Sequence, residues 1–249
     1  MFFPYIVIFL LGTIIGSFLN VCIYRIPQGQ SVVFPPSHCT KCGEKLKAHH
    51  LIPLISYILL GGRCSYCKAK ISVQYPLVEL LTSFLFTVLF SKFYFTIYFF
   101  KYAFLFSLLI VISFIDLQIQ IIPDGLVILG LITGLIFTFI DRYYPFSGYF
   151  LGALIGGGIL LLITLLSRGG MGGGDVKLML FLGLFLGWER TLLTLFLSFV
   201  TGGLFALLVL VTGKKGRKDI IPFGPFINIG AILAVLFEVE ILNVYFSFF

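Results

Sequence analysis

Ten acidic side chains are spread through 249 residues, and two of them stand where an acid is costly. Asp116 ends an apolar run, Ile112-Ser113-Phe114-Ile115-Asp116-Leu117, with no basic residue within several positions. Asp175 lies in Arg168-Gly169-Gly170-Met171-Gly172-Gly173-Gly174-Asp175-Val176-Lys177, between two long apolar runs. An ionisable group at the edge of hydrocarbon is expensive to keep charged and marks function by default. Two carboxyl groups at one membrane depth can share a proton. One then holds water as general base, and the other protonates a carbonyl oxygen as general acid. That is aspartic-protease chemistry, and it needs no metal or nucleophilic side chain. Gly172, Gly173 and Gly174 would let an extended substrate backbone approach the carboxylates. Lys177 could bias which acid keeps the proton, or only anchor the inner face. The plainer roles are that Asp175 caps the helix it opens and that Asp116 faces water at a helix end.

Four of the five cysteines form a second constellation. Cys39-Thr40-Lys41-Cys42 and Cys64-Ser65-Tyr66-Cys67 are separated by twenty-one residues. Each CxxC pair wraps two thiolates round one side of an ion, so the spacing predicts a tetrahedral, closed, structural Zn2+ site. Two disulfides are the competing reading, and a reducing cytoplasmic location argues against them. Gly43 follows the first pair and Gly61-Gly62 precede the second, where tight turns are needed. His38 abuts Cys39 and could replace a thiolate or face solvent. Cys22 is read as a small apolar core residue.

The other acids have ordinary explanations. Asp124 follows Pro123 in a first helical turn, Asp141 and Glu189 sit beside Arg142 and Arg190, and Asp219 lies in a basic loop. Glu79 falls at the inner end of a span, where it could orient an amine or a methyl donor, or snorkel to the interface.

These groups must be positioned in a bilayer. The chain is 59% hydrophobic and 11% charged, and apolar runs of membrane-spanning length recur along it. Spans are predicted at 4–24, 76–91, 96–116, 124–141, 147–167, 175–188, 190–212 and 224–246. The expected fold is therefore an all-α polytopic membrane protein of about eight transmembrane helices, with a small zinc-ribbon-like domain between helices 1 and 2. The predicted division is a first transmembrane helix over 1–24, a zinc-binding domain over 25–75 and a transmembrane domain over 76–249. The first run has no basic residue before it and no small-residue cleavage site, so it reads as a retained helix.

Orientation follows from Lys and Arg. With the N-terminus outside, the inner face carries Arg25, Lys41, Lys45, Lys47, Arg63, Lys68, Lys70, Arg168, Lys177, Lys214, Lys215, Arg217 and Lys218. The outer face keeps Lys92, Lys101, Arg142 and Arg190. That bias makes 25–75 cytoplasmic and puts Asp116 and Asp175 on the cytoplasmic side. The net charge of +7 is then explained by basic residues gathered in the cytoplasmic loops of a protein held in the lipid bilayer, with no nucleic-acid partner expected.

Asp116 with Ile122-Pro123-Asp124, and Gly172-Gly173-Gly174-Asp175-Val176-Lys177, resemble the GxGD-type prepilin peptidases (type IV leader peptidases). Gly16-Ser17-Phe18-Leu19-Asn20-Val21, Arg25-Ile26-Pro27, the double CxxC loop, Tyr75-Pro76-Leu77-Val78-Glu79-Leu80 and Pro222-Phe223-Gly224-Pro225-Phe226 extend the likeness over nearly the whole chain. The resemblance implies a membrane aspartic endopeptidase, with Asp116 and Asp175 as its catalytic pair and Asp124 as a non-catalytic acid. It would cut the basic leader from prepilins and pseudopilins on the cytoplasmic side of the bacterial cell membrane. The cysteine loop implies a second activity, N-methylation of the new terminus with S-adenosylmethionine as donor. The rival readings are a transporter that uses Asp116 and Asp175 for proton or cation movement, and a peptidase without methyl transfer.

Overall fold

A computed structural model describes residues 2–141, 143–167, 171–212 and 221–247. Arg142, Arg168, Gly169, Gly170, Lys214, Lys215, Arg217, Lys218 and Asp219 of the sequence reading lie outside the described residues. Among those described the regular elements are all helices, with no strand and two isolated antiparallel bridges. The principal helices are α1 (Phe3–Arg25), a short α2 (Ile55–Leu59), α3 (Gln74–Phe93), α4 (Ile97–Ile119), α5 (Asp124–Ile140), α6 (Phe146–Leu166), α7 (Gly173–Val211) and α8 (Gly224–Phe246). Six of them are long and apolar enough to cross a membrane, and α5, at 17 residues, is shorter. A bilayer permits this architecture because helices satisfy their own backbone hydrogen bonds. The protein is a multi-pass membrane protein.

The chain divides within α4 into two compact units, Met1–Val111 and Ile112–Phe249. In the first, α1 packs on α3 through Gly12 and Gly16, one turn apart. A Cβ on Gly16 would meet the Cα of Glu79 at 2.7 Å, so the backbones themselves touch. Small residues at such spacing are what lipid-embedded helices use to approach closely. An aromatic cluster centred on Phe90, with Tyr5 at 5.2 Å and Phe95 at 4.8 Å between ring centroids, closes the far end of the pair.

In the second unit α7 doubles back on itself. Gly187 interrupts it with φ 76° and ψ 173°, a conformation that favours glycine. A Cβ on Gly156 of α6 would lie 2.8 Å from Thr191 and 3.0 Å from Met179, on opposite sides of that break. In a straight helix those two residues would stand about 18 Å apart. The first half therefore packs on α5 through Phe181 against Gly130, and the second on α8 through Ser198 and Thr194 against Gly230. The turn is held by Tyr144, whose hydroxyl donates to Glu189 Oε2 at 2.7 Å. Beside it Arg190 Nε donates to Glu238 Oε2 of α8 at 2.8 Å, and the guanidinium stacks 4.6 Å from the Tyr143 ring centroid.

The predicted spans 175–188 and 190–212 are the two limbs of α7, which part at Gly187. Other sequence expectations are corrected here. The second span is Gln74–Phe93 and not 76–91, since polar Gln74 and Lys92 continue the helix past its apolar stretch. Glu189 and Arg190, adjacent in sequence, each also take a partner distant in sequence.

Candidate active site and metal centre

Asp116 lies in the last turn of α4, and the loop that follows brings Ile122-Pro123 to the start of α5. Pro123, extended at φ −64° and ψ 126°, precedes Asp124 in the first turn. Asp175 is the third residue of α7, behind the N-cap Gly172. It accepts from the Gly172 backbone N–H, the reach-back of an acid at this helical position. The N-cap position foreseen for Asp175 is taken by Gly172; Asp175 reaches back to it from the third helical residue and is buried, at 8% exposure.

Asp116 is 5% exposed, and its Oδ2 has no hydrogen-bond partner among the described residues. The two carboxyl groups are close enough to act on one another electrostatically. Ile122 sits among them. A Cβ on Gly174 would meet Ile122 at 3.2 Å, and one on Gly224 would meet it at 3.4 Å and Asp116 Oδ2 at 2.6 Å. The ends of α4, α7 and α8 therefore gather round one side chain. One turn into α8, Asn228 Nδ2 donates to Ser113 Oγ at 2.7 Å, and Ser113 lies one turn before Asp116. This tie fixes the carboxylate-bearing end of α4 against α8.

The other residues of the glycine stretch separate by role. Gly173 has open space where a side chain would stand, and a Cβ on Gly172 would face Asp175 Oδ2 at 3.7 Å. Gly174 is instead a packing residue. Lys177 Nζ pairs with Asp124 Oδ1 at 2.8 Å, an exposed ion pair that commits its charge to α5. Gly224 and the Ser113–Asn228 tie were not assigned roles from the sequence. Only the motif Pro222-Phe223-Gly224-Pro225-Phe226 pointed to this end of α8.

The cysteine loop folds as two equivalent knuckles. Cys39 N–H donates to Glu44 O at 2.9 Å and Gly43 N–H to Cys39 O at 2.8 Å. Cys64 N–H likewise donates to Ala69 O at 2.8 Å and Lys68 N–H to Cys64 O at 3.0 Å. Gly43 and Lys68, four residues after the leading cysteines, both take positive φ, 72° and 57°. The four Sγ atoms of Cys39, Cys42, Cys64 and Cys67 all lie within 4.8 Å of one another, and Cys39 and Cys67 are 3.8 Å apart. A tetrahedron with Zn–S bonds of ~2.3 Å has edges of ~3.8 Å, so the donor set fits such an ion. The Cys42 backbone N–H holds the Cys39 thiol down to about 6, which favours the ligating thiolate. None of the five cysteines is in a disulfide, and Cys22 is buried in α1 as expected. His38 faces outward, with Nδ1 3.1 Å from Pro36 O, outside the four-sulfur cluster.

Glu79 lies in α3 on the same side of the unit as this loop. Its Oε2 accepts from the Leu54 backbone N–H at 2.8 Å, and the Ser17 hydroxyl of α1 also donates to it.

Comparison with known proteins agrees with these features. The profile of the Bacterial Peptidase A24 N-terminal domain matches residues 10–93, and that of the Type IV leader peptidase family matches residues 103–207. A prepilin leader peptidase/N-methyltransferase of Pseudomonas putida is 35% identical, over 93% of this chain and 90% of its own. Those of Bacillus subtilis (strain 168) and Neisseria gonorrhoeae are 32% and 34% identical, covering 96% and 88% of this chain and 96% and 85% of their own. No solved structure matches. Two profiles in tandem and relatives aligned along almost their whole length leave one assignment, and the chain belongs to the type IV leader peptidase family.

Proposed function

We propose that this chain is an aspartic endopeptidase of the bacterial inner membrane that removes the basic leader from type IV prepilins and pseudopilins, then N-methylates the new terminus. The observation that carries the peptidase reading is that two buried acids, Asp116 and Asp175, stand at helix ends that converge on Ile122. Like charges so placed favour one shared proton. The ionised carboxylate takes a proton from water as the oxygen attacks the scissile carbonyl carbon. The protonated partner gives its proton to the carbonyl oxygen. When the tetrahedral intermediate collapses, the C–N bond breaks and the amine leaves with the proton first taken from water.

A prepilin is itself a basic leader joined to an apolar helix, so its helix would lie in the bilayer with the scissile bond at the depth of the two acids. Gly173, with open space where a side chain would stand, and Gly172, which faces Asp175 Oδ2, suit the approach of its extended backbone. The excess of Lys and Arg in predicted inner loops supports an outside N-terminus and a cytoplasmic cysteine loop. Residues 25–75 would form the zinc-holding domain associated with methyl transfer, and 76–249 the peptidase domain. Cys39, Cys42, Cys64 and Cys67 would hold Zn2+ as a structural ion that joins the two knuckles. S-adenosylmethionine, when bound, supplies the methyl group.

The test is direct. Detergent-solubilised protein incubated with a synthetic prepilin should yield the shortened product, and with S-adenosylmethionine a product heavier by one methyl group. An uncut prepilin would overturn the reading.

A further inference from the structure

We infer that Glu79 and Asn20 form an acceptor site for the free α-amino group of the cleaved substrate, and that Glu79 takes the proton this group must lose before it is methylated. The inference rests on the methyltransferase half of the reading above.

The site lies wholly within the first unit. Asn20 of α1 is 1% exposed, and its amide nitrogen is spent on Tyr75 O at 3.0 Å and Gly16 O at 3.3 Å. Its Oδ1 is buried with no hydrogen-bond partner. Ser17, one turn earlier on α1, donates to Glu79, and Tyr75 precedes Glu79 by one turn on α3. Two buried acceptors thus lie on consecutive turns of one helix–helix interface.

No cation among the described residues answers the Glu79 carboxylate, which is 6% exposed. The guanidinium nearest to Asn20 along the chain, Arg25, is committed to Ser31 O at 3.0 Å and Pro35 O at 2.7 Å. A buried carboxylate without a counter-ion and a buried carbonyl without a donor are each costly. Both deficits are met by a ligand that brings positive charge and N–H donors together. A primary ammonium does this; a sulfonium centre has charge and no donor, and the α-ammonium of S-adenosylmethionine is the competing occupant, which the donor-free binding measurement below separates. Leu54, whose N–H binds Glu79, is held at φ 60°, so the loop is drawn onto the carboxylate at a conformation it would not choose unaided. The arriving ammonium passes one proton to Glu79, becomes a nucleophilic amine, and the proton later leaves to water.

Glu79→Gln tests this without removing the loop tie, because the amide oxygen still accepts from Leu54 N–H. The substrate is a peptide with the mature pilin N-terminus, so prior cleavage is not required. Zinc content of the purified variant reports whether the domain has folded. Methylation at pH 7 should fall roughly 10²-fold in Glu79→Gln. The loss should shrink as pH rises past ~8, where the α-amino group deprotonates unaided. Without any donor present, the wild type should bind the free-amine peptide about tenfold more tightly than its N-acetylated form, and the variant should lose that discrimination. Asn20→Leu should weaken the same discrimination. A pH-independent loss with discrimination retained would overturn the inference by making Glu79 a purely structural residue. So would an unchanged methylation rate, or weakened S-adenosylmethionine binding with an unchanged amine response. If the wild type methylates no peptide at all, the methyltransferase reading fails together with it.

Discussion

Asp116 Oδ2 lies 2.6 Å from the point where a side chain on Gly224 would begin. The first residue of α8 is therefore part of the acid's immediate surroundings, and its lack of a Cβ is a condition of that geometry. Gly224→Ala should push the carboxyl group aside. Misplacement of this order costs about 10²-fold in rate, so leader cleavage should fall that far while membrane insertion and yield persist. A prepilin cleavage assay with a parallel yield measurement checks it.

Removing either acid should do more. Asp116→Asn or Asp175→Asn keeps the volume and deletes the shared proton chemistry. Cleavage should drop by ~10²–10⁴-fold or more in each single variant, and the double variant should be little worse than either alone. Full cleavage by one of them would remove that residue from the mechanism.

The metal centre gives a separable prediction. Cys64 is buried, at 4% exposure, and heads the second knuckle. Cys64→Ser should lower the zinc content of purified protein, measured by elemental analysis, and methylation should be lost before cleavage. Chelator treatment of the wild type should act in the same order.

Arg190 and Glu238 are each about nine-tenths buried, so neither can be deleted alone without leaving a buried charge. Arg190→Met or Glu238→Gln should destabilise by about 3–5 kcal/mol, read as a lower unfolding temperature in detergent. Arg190→Met combined with Glu238→Leu should recover much of the loss. Thermal unfolding of the three variants against wild type decides it.

Much of this was legible in the sequence because it rests on local chemistry. The spans follow from hydropathy, and the metal centre from two CxxC pairs whose knuckles close within six residues each. Asp116 and Asp175 stood out because lone acids beside apolar runs are rare. What escaped notice was long-range pairing. Lys177 and Asp124 are 53 residues apart, and Arg190 and Glu238 are 48 apart. Lys177 and Arg190 each have a nearer acid in sequence, Asp175 and Glu189, which hides the distant partner. The contact of Gly224 with Asp116 was hidden for a different reason: a glycine announces space without saying what fills it. The doubling back of α7 left a faint trace in its glycine at 187, but only packing against α6 shows its direction.

That reversal sets the length of the limb carrying Asp175. From 173 to the break there are 14 residues, or about 21 Å of helix, against a hydrocarbon slab of ~30 Å. A limb this short cannot reach both surfaces of an undisturbed bilayer, so the lipid must thin around it or its ends must sit submerged. Either outcome shortens the path from bulk water to Asp175, which answers the oldest difficulty of hydrolysis inside a membrane, that of supplying the water.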